Sequence, residues 1–222
     1  MIKFNYSDLF LDKASWLFAK IWDNKWKKSR VDYPIKKGEK RKMTDFLKEC
    51  VDDPILDPIL ILLDHERKVF GDDSNERVMH KIEQFVIKNI QYTSDRKAWD
   101  QVEYWQTPME TWTKRSGDCE DGAILMLALA YRLGIPAYRL KLCAGWVKLP
   151  GTKKGRGGHA YLIFLRNNQT WTICDWCYWP KRSILRSRME HRYNPNYQDI
   201  WWTSNWEYSW AQKDVKLGFG VL

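Results

Sequence analysis

Ser116-Gly117-Asp118-Cys119-Glu120-Asp121-Gly122-Ala123 leads into the most strongly patterned run of this chain. Behind it, Ala123, Ile124, Leu127, Ala130 and Tyr131 recur at helical spacing, and Met126, Leu129 and Leu133 widen the apolar face. So broad a face predicts a helix from about Cys119 to Leu133 that is buried on most sides. Gly134 supplies the left-handed residue that ends it, and Pro136 prevents its continuation. Cys119 therefore occupies the first turn, among unpaired N–H groups at the positive end of the helix dipole. A thiol attacks only as thiolate, and its ordinary pKa of about 8.5 leaves little ionised at neutral pH. The helix start should lower that value. Asp118 and Glu120 would oppose it only if they faced the sulfur, and they are expected to point aside. A buried structural thiol is the plainer reading, and a place at a helix start after Gly117 argues against it.

Downstream, strands are predicted at about 137–147, 160–165 and 170–175, with a Gly/Lys-rich loop at 149–158 and a turn at 166–169. His159 heads the second strand and Asp175 closes the third. Residues that face each other across an antiparallel pair share a side of the sheet. His159 and Asp175 meet if the turn has an odd number of residues, and a three-residue loop at 166–168 would pair Leu165 with Gln169 and His159 with Asp175. An even loop sends them to opposite faces. A carboxylate beside the ring would orient it and favour its protonated form. Cys119, His159 and Asp175 are thus the expected nucleophile, general base and orienting acid. For the oxyanion, the Cys119 backbone N–H is one donor, and a second comes from Trp105 (indole N–H) or Gln106 (amide N–H₂). The other histidines, His65, His80 and His191, read as surface or capping residues.

Upstream, Leu9, Phe10, Ala14, Leu17, Phe18, Ile21 and Trp22 predict an amphipathic helix over about 7–28. A Lys/Gly-rich loop, a helix near Thr44–Val51 and an apolar stretch bracketed by Pro54 and Pro58 follow. Asp73-Ser74-Asn75 can cap a helix over about 76–89 whose buried stripe is Val78, Ile82, Phe85, Val86 and Ile90. Pro108 starts a short helical turn carrying Met109 and Trp112. The expected organisation is α+β: a helical N-terminal extension (1–74), a catalytic core (75–180) in which the cysteine helix packs on an antiparallel sheet, and a C-terminal segment (181–222) whose Trp201, Trp202, Trp206 and Trp210 pack onto that core.

The run Tyr104-Trp105-Gln106-Thr107-Pro108-Met109-Glu110-Thr111-Trp112, leading to Gly117-Asp118-Cys119-Glu120-Asp121, resembles the W-x-T-P-x-E…G-D-C-E-D signature of transglutaminase-like cysteine proteinases in the papain-like superfamily. The likeness is to bacterial periplasmic enzymes that clip cell-surface adhesins, and it spans about Asn75 to Trp179. It implies a papain-like fold, a thiol peptidase acting on protein or peptide through an acyl-thioester, and the same Cys119, His159, Asp175 triad. No cofactor is required for that chemistry. Some relatives bind calcium beside the cysteine, which would fall to Asp118, Glu120 and Asp121 here; adjacent carboxylates also suit a helix N-terminus without metal. The N-terminal segment, the Trp-rich tail and the long basic loop before His159 depart from those relatives, and compact cytoplasmic or phage-encoded members fit better. Protein-glutamine acyl transfer, or a non-catalytic and virion-associated binding role on the same scaffold, are the rival functions.

Composition narrows the setting. No run approaches the ~18–20 apolar residues of a membrane span, and Asp8, Asp12, Lys13 and Lys20 interrupt what a secretory signal would need. Five cysteines without a paired framework point to a reducing, cytoplasmic compartment. Cys174-Asp175-Trp176-Cys177 is a CxxC, but it has no second pair to complete a zinc site and does not open a helix as a redox motif would. The net charge of +9 gathers in basic runs at 36–42, 153–156 and 181–192, which could meet nucleic acid or an anionic polymer; no nucleic-acid motif accompanies them.

Overall fold

The computed structural model describes residues 6–23, 27–28, 30–36, 39–68, 74–149, 151, 155–178 and 185–211. The N-terminal part contains α1 (Tyr6–Asp23), β1 (Lys27–Lys28), β2 (Asp32–Lys36), β3 (Glu39–Lys42), α2 (Met43–Val51) and α3 (Leu56–Lys68). Next come α4 (Asn75–Asn89), β4 (Gln91–Tyr92), α5 (Asp95–Trp99), α6 (Pro108–Lys114), β5 (Ser116–Gly117) and α7 (Cys119–Arg132). Then follow β6 (Leu140–Lys148), β7 (Arg156–Leu165), β8 (Trp171–Cys174), β9 (Tyr197–Ser204) and β10 (Ser209–Ala211). The fold is α+β.

Every residue of α7 from Glu120 to Ala130 is buried, because α2, α3, α4 and α6 enclose it on one side and β6 and β7 on the other. Burial of each leucine in such a helix stabilises the fold by about 1.5–3 kcal/mol. The helix ends as its sequence requires: Gly134 takes a φ of 86°, its N–H donates to Tyr131 O, and Ile135 N–H donates to Ala130 O.

The main sheet is antiparallel, in the order β1-β10-β9-β6-β7-β8. One face, with Leu142, Ala144, Leu162, Phe164, Cys174 and Trp202, joins the core around α7. The opposite face, with Cys143, Val147, Tyr161, Ile163, Leu165 and Tyr197, forms a second core that Ala19 of α1 helps to cover.

Two expectations meet the structure here. Among the α1 side chains that are described, Ser15 and Ala19 are buried and Trp16, Leu17, Phe18 and Ile21 are exposed; Leu9, Phe10 and Trp22 of the expected stripe lie outside them. Polar anchors select that face: Arg139 Nη2 donates to Ser15 Oγ (3.0 Å), and the fully buried Lys141 Nζ lies 2.7 Å from Asp23 Oδ1. At the other end, β9 lies inside the sheet between β6 and β10, not as a segment laid upon it. Trp202 packs against Trp105 with ring centroids 5.9 Å apart, and Trp206 packs on Tyr131 at 4.7 Å.

Asp73, Trp26, Trp179, most of the basic loop before β7 and the first part of the 181–192 run lie outside the described residues. Among those described, no helix is long and apolar enough to cross a membrane.

Candidate active site

The turn into α7 is built by Asp121. Its Oδ2 accepts the Asp118 N–H (3.0 Å) and its Oδ1 accepts the Gln106 N–H (2.8 Å), tying the segment before α6 to the cysteine helix. Trp176 closes the turn from above, with its indole Nε1 donating to the Cys119 carbonyl at 3.2 Å. Gly122 makes room for that ring: a Cβ there would stand 2.3 Å from the indole.

The β7–β8 ladder stops at Leu162↔Cys174, and beyond it the edge of β7 faces the sulfur. The Ala160 N–H donates to Cys119 Sγ at 3.5 Å. The neighbouring His159 Nε2 lies 2.6 Å from Asp175 Oδ2. The connecting turn has the odd parity the meeting requires, but five residues and not three, since Leu165 pairs with Trp171. Asp175 therefore reaches His159 from a diagonal position.

Asp175 is saturated with donors. Tyr197 Oη donates to its Oδ2 (2.6 Å), and the Cys177 and Tyr178 N–H groups donate to its Oδ1 (3.1 and 3.2 Å). Burial pushes its carboxyl up, but the His159 ring and these donors outweigh burial and hold it below the usual carboxylate range. Tyr161, Tyr178 and Tyr197 surround the imidazole, with centroids 5.9, 5.2 and 6.5 Å away. Behind the acid, buried Glu83 accepts the Asp175 N–H (3.1 Å) and two bonds from Arg188 (2.8 and 2.5 Å). His80 borders Arg188, and His191 pairs with the Tyr161 hydroxyl at 3.0 Å, so neither is the surface residue expected.

The carboxylates near Cys119 do not turn aside. The thiol donates to Glu120 Oε2 at 3.1 Å, and among the described residues it makes no hydrogen bond to the imidazole. Burial pushes the thiol well above its ordinary value, Asp118 and Cys177 push the same way, and the Ala160 N–H opposes them. The depressed value expected of the helix start is absent from this arrangement, because burial, and after it the charge of Asp118, outweighs the dipole.

Asp95 and Glu103, which no motif marks, join this acidic cluster in overlapping trios whose ligand atoms lie within 4.8 Å of one another: Asp95 with Glu103 and Glu120, Asp95 with Asp118 and Asp121, and Asp118 with Glu120 and the Cys119 sulfur. Asp95 Oδ1, Asp118 Oδ1 and Glu120 Oε1 are buried without hydrogen-bond partners. Burial, followed by Asp118, pushes the Asp95 carboxyl to about 8, and burial pushes Asp118 to about 6. Orphaned buried carboxylate oxygens in such number fit a hard cation such as calcium. Asp121, expected as a ligand, lies within the same range of Asp95 and Asp118; its oxygens also accept hydrogen bonds, whereas Asp95, Asp118 and Glu120 each keep an unpartnered one.

Both side chains expected to stabilise an oxyanion are committed elsewhere. Trp105 Nε1 donates to Glu103 Oε1 (2.9 Å), and the buried Gln106 amide donates to Asp121 and to the Ser116 carbonyl. Gln106 positions the α7 turn.

The family model for the transglutaminase-like superfamily matches residues 66–176, half of the chain. The chain belongs to this superfamily. Two structures of LapG from Legionella pneumophila share the fold. The EGTA-treated form superposes with a TM-score of 0.53 at 19% identity, over 76% of this chain and 84% of LapG. A second superposes with a TM-score of 0.52 at 18% identity, over 75% and 86%. No curated protein sequence matches the chain significantly. As a transglutaminase-like domain, the chain carries its cysteine at the start of the core helix and its histidine on the adjoining strand of the sheet.

Proposed function

We propose that this transglutaminase-like chain is a thiol-dependent amide hydrolase, a cysteine peptidase acting on protein or peptide. Cys119 is the nucleophile, His159 the general base and then acid, and Asp175 the orienting carboxylate. The observation that carries this reading is the 2.6 Å contact of His159 Nε2 with Asp175 Oδ2, beside a sulfur that already accepts the Ala160 N–H. With Nε2 committed to Asp175, Nδ1 is the nitrogen left to take the thiol proton. The thiolate adds to the amide carbon, and the Cys119 N–H receives the developing oxyanion. The imidazolium protonates the leaving amine as the C–N bond breaks, and water, deprotonated by the ring, hydrolyses the acyl-thioester and frees the thiol.

Calcium would be held by Asp95, Glu103, Asp118 and Glu120. What a bound cation supplies there is positive charge against the field that now raises the thiol. A reducing, cytoplasmic setting suits the five free cysteines.

The test is mass spectrometry of products from protein substrates, with and without added amine, on wild type and on Cys119→Ala. Cleaved peptides that vanish in the variant support hydrolysis, whereas amine incorporation would mark acyl transfer instead. Iodoacetamide labelling of Cys119 that does not slow in His159→Ala would favour a non-catalytic scaffold.

A further inference from the structure

Cys177 enters the chemistry above only through its backbone N–H and its effect on the Cys119 thiol. Cys50, Cys143 and Cys174 are buried in the cores, whereas Cys177 is half-buried and turned back toward the imidazole. The β7–β8 pairing explains why: continued past Leu162↔Cys174, it sets position 177 opposite position 159. Cys177 Sγ lies 3.8 Å from Asp175 Oδ1, and one ligand atom each from His159, Asp175 and Cys177 lie within 4.8 Å of one another.

We propose that His159, Asp175 and Cys177 form an inhibitory site for a thiophilic divalent cation of the zinc class. Imidazole, thiolate and carboxylate are the ligands such ions take, and three protein ligands with one open position is a common zinc arrangement. Zinc bonds of about 2.0–2.3 Å place tetrahedral donors about 3.3–3.8 Å apart. The trio therefore reaches that geometry by shifts of about an ångström: the His159–Asp175 contact opens and the sulfur closes in. Apart from the Cys119 sulfur itself, the groups on the other flank are carboxylates, Asp95, Glu103 and Glu120 among them, so that flank is the harder donor set suited to calcium and this one the softer set suited to zinc. The Cys177 thiol must give up its proton to the solvent on binding, so affinity rises with pH.

A metal on His159 withholds the base from Cys119. That consequence rests on the function proposed above, whereas binding itself does not. CxxC is misleading here, because Cys174 faces the α7 core and the second sulfur finds its partners across the hairpin.

Cobalt(II), added to one equivalent of the full-length chain, tests the site through its thiolate-to-metal charge-transfer absorption. The band is expected in wild type, in Cys50→Ala and in Cys119→Ala, and is expected to be lost in Cys177→Ala. No band in wild type, or a band that survives Cys177→Ala and disappears with Cys119→Ala, would overturn the proposal; circular dichroism establishes that each variant is folded. One equivalent of zinc should also slow iodoacetamide labelling of Cys119 at least tenfold in wild type. Cys177→Ala, compared with and without metal against its own metal-free rate, should lose that sensitivity, and retained sensitivity counts against the site. Should the cobalt pattern hold in a protein that cleaves nothing, the hydrolase reading fails and the metal site stands.

Discussion

The two flanks of Cys119 place carboxylates in similar burial and arrive at opposite results. On the imidazole flank, Asp175 meets His159, the Tyr197 hydroxyl and two backbone N–H groups, and its carboxyl is held below the ordinary range. On the acidic flank, Asp95, Asp118 and Glu120 each leave a buried oxygen without a donor, and their carboxyls are pushed up. Burial alone raises a carboxyl; the donors facing it decide whether that rise survives. The chain completes the first flank by itself. The second leaves buried carboxylate oxygens gathered without donors.

The largest effect should come from breaking the completed flank. Asp175→Asn keeps the shape but presents the imidazole with an amide, which favours the wrong tautomer. Turnover should fall by about 10⁴-fold, and a fall of less than tenfold would deny Asp175 its orienting role.

Supplying a cation to the acidic flank should act on stability. In the folded, metal-free chain Asp118 keeps its proton to about 6 and Asp95 to about 8, whereas unfolded carboxyls lose theirs near ~4. The folded state then binds more protons than the unfolded one across that window, so metal-free stability falls as pH rises through it. Calcium at about 100 times its Kd should add about 2.7 kcal/mol. For a chain of this length that raises Tm by roughly 5–10 °C at neutral pH. Asp95→Asn combined with Glu103→Gln should abolish the rise, and an undiminished response would place the ion elsewhere.

Much of the completed flank was legible in sequence. The periodicity behind Cys119 marked α7, and strand alternation set the condition, an odd turn, under which His159 meets Asp175; the turn's length and register came from the structure. What was not legible depends on residues far apart in the chain. The acidic flank draws Asp95 and Glu103 from outside the G-D-C-E-D run, and nothing local distinguishes them from surface acids. Asp121, a possible ligand by the family resemblance, also pins Gln106 and the Asp118 amide, a role no local pattern announced. In α1 the described part of the apolar stripe, Leu17, Phe18 and Ile21, faces outward, while two long-range polar anchors hold the face with Ser15 and Asp23.

Tyr197 was hidden for the same reason, within a tail whose strands gave no clear signal. Its hydroxyl shares Asp175 Oδ2 with the imidazole. A hydrogen bond to a charged group contributes about 1.5–3 kcal/mol, so Tyr197→Phe should lower kcat by about 10–100-fold with KM little changed. Losing a donor raises the Asp175 carboxyl, so the acid limb of the pH–rate profile should move upward. A profile that keeps its shape would reduce Tyr197 to packing.

The smallest effect sharpens the comparison most. Asp118→Asn removes one charge from the acidic flank while keeping an equally good helix cap. Because Asp118 is one of the charges that raise the Cys119 thiol, its loss should lower the thiol pKa and increase the thiolate fraction at pH 7. Each unit is a tenfold change, and iodoacetamide labelling of the metal-free protein should quicken by about three- to tenfold. Below about 6 the wild-type Asp118 is itself protonated, so the two proteins should converge there. Calcium should accelerate labelling in wild type and do less in the variant, where part of the opposing charge is already gone. Equal rates at pH 7 would show that the acids do not reach the sulfur, and the two flanks would then be independent.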